Sequence, residues 1–129
     1  MILTMKKLAI AALAVVNMSM AQAAVLNTQD TPAGKVYTDA DNMTLYTFDK
    51  DTKGESACYG GCAEKWPPYL VEMKATKEAL PKGMTMVTRK DGQKQWALNG
   101  QPLYRWFKDT APGEASGDNV KGVWHVIKG

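Results

Sequence analysis

Two aspartates stand at the same place in a repeated phrase. "LYTFDKDT" runs from Leu45 to Thr52 and "LYRWFKDT" from Leu103 to Thr110, with five of the eight positions identical. Asp51 and Asp109 are therefore candidates for a pair of catalytic carboxylates. The two cysteines, Cys58 and Cys62 in "CYGGC", offer a disulfide, a redox pair or a metal-thiolate site. Met84, Met86 and the single histidine, His125, are soft donors of the kind that suits Cu(I). These are the side chains able to carry chemistry.

Each has a plainer reading. A pattern that occurs in both halves is what a fold needs twice, whereas most active sites are needed once. In Tyr-x-aromatic-x-x-Asp, the tyrosine and the aromatic two residues on point to one face of a strand. The aspartate follows the strand, where its carboxylate can accept backbone N–H bonds and hold the loop. A buried phenol needs a partner, and a loop aspartate or a backbone group can supply it. "CYGGC" is expected to be a disulfide: the chain is read as exported, and Gly60 and Gly61 let so small a ring close. Met84 and Met86 read as core residues of a strand, and His125 as lining a strand face with Val123 and Ile127. "DKDTKGE" (Asp49–Glu55) only faintly matches a calcium loop, since Lys53 offers no oxygen ligand. There is no G-x-S-x-G, H-E-x-x-H or phosphate-binding glycine loop. The sequence therefore suggests no enzyme and implies no cofactor.

The elements that must position these residues follow from an offset of 58. Gly34 aligns with Gly92, Leu45-Tyr46 with Leu103-Tyr104, Phe48 with Trp106, Asp51 with Asp109, and Trp66 with Trp124. An ungapped register from Gly34 to Trp66 predicts an internal duplication, with units of about 34–71 and 92–129 and a connector at 72–91. Each unit reads as a hairpin, around Asp41-Asn42 in the first and Asn99-Gly100 in the second. "MTMVTR" (Met84–Arg89) and "GVWHVI" (Gly122–Ile127) are further strands. "CAEKW" reads as a helical turn, and Val71–Gly83 as a short helix or an irregular connector. The alternation in "PLYRWF" sets Leu103, Arg105 and Phe107 against Tyr104 and Trp106. The expected fold is mainly β: two pseudo-symmetric antiparallel hairpin repeats forming one small sandwich or partly open barrel, with a short helix or helical turn.

The start of the chain has the pattern of a secretory signal peptide, residues 1–23. Lys6-Lys7 precede the apolar run Leu8–Val16, and "AQA" (Ala21–Ala23) fits a cleavage site. That run is shorter than the roughly 20 residues a membrane span needs. Residues 24–33 then form an N-terminal extension to a single domain, 34–129. Without Lys6 and Lys7 the 16 basic residues become 14, against 13 acidic. So balanced a charge gives no nucleic-acid footprint, and nothing after the signal suggests a transmembrane segment. Periplasmic or secreted location is expected.

At "LYTFDKD", "CYGGCAEKWPP", "RKDGQKQWALNGQPLYRWFKD" and "VWHVI" the chain resembles a bacterial family of secreted proteins and predicted lipoproteins. That family is known for a repeated Y-x-(F/W/Y)-x-x-D motif and is described as a secreted repeat of unknown function. The motif residues here are Tyr46, Phe48 and Asp51, then Tyr104, Trp106 and Asp109; Trp66 and Trp124 are the structural pair that the internal repeat adds to them. Many relatives look lipidated, but no cysteine stands at the cleavage site of this chain. The resemblance implies an exported module and names no activity. Two functional classes follow. One is a non-enzymatic envelope protein that binds an unknown envelope partner or small ligand, or is structural. The other is a periplasmic copper-type metal or redox protein using Cys58, Cys62, Met84, Met86 or His125.

Overall fold

The computed structural model describes residues 24–72 and 80–129. The signal segment, and residues 73–79 of the expected connector, lie outside that range. Seven strands follow in order: β1 (Asn27–Thr31), β2 (Gly34–Thr38), β3 (Tyr46–Phe48), β4 (Met84–Thr88), β5 (Lys94–Leu98), β6 (Gln101–Pro102) and β7 (Trp124–Val126). Among the described residues one helix, α1 (Gly61–Lys65), lies between β3 and β4, and a 3-10 turn at Val120–Gly122 precedes β7.

All pairings are antiparallel: β1 with β2, β3 with β7, and β4–β5–β6. Single bridges tie these sheets together, Val36 to Lys128, Pro68 to Tyr104 and Leu70 to Gln95. At the centre Tyr46 and Tyr104 exchange both backbone hydrogen bonds, at 2.8 and 3.0 Å. A pseudo-twofold axis therefore passes between the two motif tyrosines. The strands form an open, sandwich-like array and do not close into a barrel; β1 and β4 are its edges among the described residues.

The period of two in the sequence builds two cores. Tyr46, Cys58, Trp66, Tyr104, Trp106 and Trp124 form one buried cluster. Leu45, Met84, Trp96, Leu98 and Leu103 form the other. Leu45 and Leu103 thus face away from Tyr46 and Tyr104, as alternation along a strand requires.

Each repeating unit begins one strand earlier than the sequence reading placed it. β1 pairs with β2 over five residues, as β4 does with β5, so neither is an extension or a connector. The register also departs from a constant offset. Tyr37 N–H bonds to Ile127 and its carbonyl accepts Leu45 N–H; Trp96, not Gln95, makes the matching bonds to Tyr69 and Leu103. The cause is two compensating changes in loop length. The first turn is two residues in repeat one (Thr31 opposite Gly34), but three in repeat two (Arg89 N–H to Gln93 O). The second turn spans Thr38 to Thr44 in repeat one, and only the Asn99-Gly100 pair between Leu98 and Gln101 in repeat two. Asn99 and Gly100 both have positive φ, 54° and 87°, which a two-residue type I′ turn demands.

Candidate functional site

The motif tyrosines and aspartates meet at the pseudo-twofold, but each pairs with the other repeat. Tyr46 Oη donates to Asp109 Oδ2 at 2.5 Å, and Tyr104 Oη donates to Asp51 Oδ2 at 2.7 Å. The second carboxylate oxygen of each aspartate holds its own loop. Asp51 Oδ1 accepts Ala57 N–H at 2.6 Å. Asp109 Oδ1 accepts the N–H and the hydroxyl of Ser116 at 3.0 and 2.7 Å. Both phenols are buried.

The motif aromatics stack through the axis. Trp66 lies face to face with Trp124 at 3.8 Å and 2°. Phe48 stacks outside Trp124 and Trp106 outside Trp66, each at 4.0 Å. Tyr46 meets Trp66 edge-on at 5.3 Å, and Tyr104 meets Trp124 edge-on at 5.2 Å. The two tyrosine edges against the inner pair of this four-ring row follow the edge-to-face geometry that aromatic quadrupoles favour.

The two halves of this site differ. Around Tyr104 stands a polar cluster that the sequence reading missed. Arg89 is 4 % exposed, and its guanidinium donates to Ser56 Oγ (3.1 Å), Gln95 Oε1 (2.8 Å) and Cys58 O (2.8 Å). Ser56 Oγ also accepts Cys58 N–H. With two donors already pointing at it, the serine hydroxyl donates its own proton to Tyr104 Oη, 2.6 Å away. Tyr104 in turn donates to Asp51. The hydrogen bonds therefore run one way, from the Arg89 cation to the Asp51 carboxylate. Around Tyr46 the corresponding donor is a backbone group, Gly117 N–H at 3.1 Å. The clue to the cluster was Arg89 where repeat one has Thr31, and Gln95 in the position filled by Val36 once the loops are realigned.

Burial sets the titration of these groups. It pushes the Tyr46 phenol far above its ordinary value, helped by the Asp109 carboxylate beside it. Burial raises Tyr104 as well, though its Ser56 bond lowers the value and its Asp51 contact adds to it. Burial also raises the Asp51 carboxyl, against the lowering effect of its bonds to Tyr104 and Ala57 and of the Arg89 charge.

Cys58 and Cys62 are joined in a disulfide, with Cα atoms 5.3 Å apart. Met84 is buried in the Trp96 cluster, Met86 is exposed on β4, and His125 is half-exposed on β7 with Nε2 2.8 Å from Asp49 Oδ2. The strands carrying the methionines and the histidine belong to different sheets. Among the described residues no group of three or more His, Cys, Asp or Glu side chains is placed to hold a metal ion. No helix is long and apolar enough to cross a membrane among those residues.

No curated protein and no solved structure matches the chain. A family described as "Secreted repeat of unknown function" matches twice, over residues 27–69 and 85–128. Those spans begin at β1 and β4, the strands on which each structural repeat begins. The chain belongs to this family of secreted repeats.

Proposed function

We propose that the protein is an exported, non-enzymatic module of the cell envelope, acting in the periplasm or outside the cell as a binding or structural unit. The observation that supports this is the fate of the motif. All four oxygens of Asp51 and Asp109 accept hydrogen bonds from the chain itself, two from the opposite repeat's phenols and the rest from loop groups. Carboxylates engaged in this way hold the two repeats together, which supports a structural part for the motif. Both thiols are likewise joined to each other.

The test is chemical denaturation of the wild type, Asp51→Asn and Asp109→Asn in chelator without added metal. Each replacement puts an amide N–H₂ where a phenol or a loop N–H seeks an acceptor, a loss of roughly 1–3 kcal/mol. Both variants should lose stability, because each carboxylate accepts a phenol from the opposite repeat and also holds its own loop. If both unfold like the wild type, the carboxylates are not structural and this reading falls.

A further inference from the structure

The repeat supplies its own control for what a strand edge is for. β1 and β4 are twins at opposite edges of the array, and their sequences differ in kind. β1 reads "NTQDT" and β4 reads "MTMVT". In an antiparallel ladder, hydrogen-bonded pairs alternate. The bonds Asn99 N–H to Gly83 O and Arg89 N–H to Gln93 O fix that phase for β4. Thr85 and Val87 therefore bond inward to β5, while Met84, Met86 and Thr88 turn their backbone groups outward. The outward N–H of Met84 is taken by Pro81 O. The carbonyl of Met84 and both backbone groups of Met86 and Thr88 have no backbone partner among the described residues.

Natural edges are guarded by charge, proline or cover. β1 carries Asp30 at an outward position; its twin at that position is Thr88. β4 has no charge along its length, and Met86 is 42 % exposed, one of two large apolar side chains so exposed among the described residues. Charge gathers at its ends instead. Lys82 lies beyond one end; Lys90 and Lys94 lie at the other, with Asp91 as the one acid between them, and all four are exposed. A second copy pairing through β4, centred on Met86, would set Lys82 opposite Lys90 of its mate, a like-charge contact that opposes it. An extended segment with acidic ends meets the same lysines favourably.

We infer that the β4 edge is a β-augmentation site for an extended peptide segment of another protein, with an uncharged, β-branched centre about five residues long and acidic residues at its ends. This rests on the binding-module reading above and names its partner class. Backbone bonds to Met84, Met86 and Thr88 supply the register, Met86 packs against a side chain of the incoming strand, and the lysines select its charge.

The probe is the nonapeptide acetyl-DDTVTVTDD-amide, titrated into the isotope-labelled full chain and followed by NMR, with acetyl-KKTVTVTKK-amide as the counterpart. The acidic peptide should shift the Met86 and Thr88 amides, slow their hydrogen exchange, and bind about ten-fold more tightly than the basic one. Met86→Pro removes an outward N–H without touching the ladder to β5, where an edge proline is tolerated, and should abolish binding. Thr28→Pro, at the twin position in β1, should leave binding unchanged. Should Met86→Pro not fold, the charge-reversed Lys82→Glu/Lys94→Glu chain decides the matter by preferring the basic peptide. The inference is overturned if neither peptide binds, if both bind equally, if Met86→Pro or the charge reversal changes nothing, or if the Met86 and Thr88 amides are already protected in the free protein by its own chain or by a second copy. None of these outcomes bears on the Asp→Asn stability test, so the two readings fail separately.

Discussion

The phenol-carboxylate pairs are where single atoms decide the stability of this protein. A tyrosine whose folded pKa lies above its unfolded value of about 10 contributes stability that is fully present below pH 10 and is lost as pH rises through the folded value. Tyr46 and Tyr104 are raised in this way, and burial pushes Tyr69, whose hydroxyl bonds to Val25 O, up to about 12. Absorbance titration at the phenolate band should therefore show these three silent while the protein is folded, ionising only as it unfolds in alkali. Ionisation of all five tyrosines near pH 10 with the fold intact would contradict the buried geometry. Asp51 has the same sign in the acid range. Its raised carboxyl favours folding most below the ordinary aspartate range, and that advantage declines as pH rises through its folded value. Asp51→Asn should thus remove this decline, so that the variant's stability relative to wild type rises as pH is raised through the Asp51 range. Asp39 shows how a third carboxylate is satisfied: it is buried, caps the turn through Asp41 and Met43 N–H, and pairs with Arg105. Arg105 stays charged because Asp39 and Asp41 outweigh the opposing effect of burial.

At the scale of elements, the loops that follow the motif strands matter more than the short strands themselves. Gly117 lies over the ring stack: a Cβ there would meet Trp106 Cγ at 2.8 Å and Trp66 Cη2 at 2.9 Å. Gly117→Ala must displace rigid rings, and overpacking of this kind costs about 1–3 kcal/mol; denaturant titration followed by tryptophan fluorescence measures it. The Cys58–Cys62 loop behaves differently. Closing so small a ring removes little chain entropy, about 2 kcal/mol, and the second repeat holds its equivalent loop with Ser116 and no disulfide. Cys58→Ser/Cys62→Ser should therefore fold with a lowered midpoint, and unreduced mass spectrometry of the wild type should show the two thiol hydrogens missing. Much of this architecture was legible in the sequence, because duplicated aromatic and acidic positions keep their spacing where they share a core. Alternation in "LYTF" and "LYRWF" assigned the two core faces, and "NG" announced its turn. The slip between Tyr37 and Trp96 was not legible. One loop gains a residue and the next loses one, so Gly34 and Gly92 align in an ungapped comparison although the bonds around them do not. The Arg89 cluster was hidden for a related reason: an arginine before "KDG" looks like a solvated turn, and only the tertiary pairing brings Ser56 and Cys58 O to it.

The whole molecule is a dimer of repeats in one chain, and its interface carries the motif. No side chain of Tyr46 reaches the aspartate of its own repeat; it reaches Asp109, as Tyr104 reaches Asp51. β3 pairs with β7, Trp66 stacks on Trp124, and Thr44 bonds to Glu114 O, all from one repeat to the other. Neither half completes a core alone, so unfolding should be a single transition, with fluorescence and circular dichroism superimposing. The arrangement makes a sharper forecast for mutants in combination. Groups that share a hydrogen bond are energetically coupled, whereas changes without a shared partner add to within about 0.5 kcal/mol. Tyr46→Phe with Asp109→Asn should therefore show a coupling of about 0.5–3 kcal/mol, since each change alone removes or weakens the bond between them. Tyr104→Phe with Asp51→Asn should do the same. Tyr46→Phe with Asp51→Asn, two positions five residues apart in one motif, should be additive. Denaturant titration of the four single variants and these three pairs completes the cycles. Coupling within a motif and additivity across the axis would mean that each repeat satisfies its own tyrosine, and the crossed architecture would be wrong.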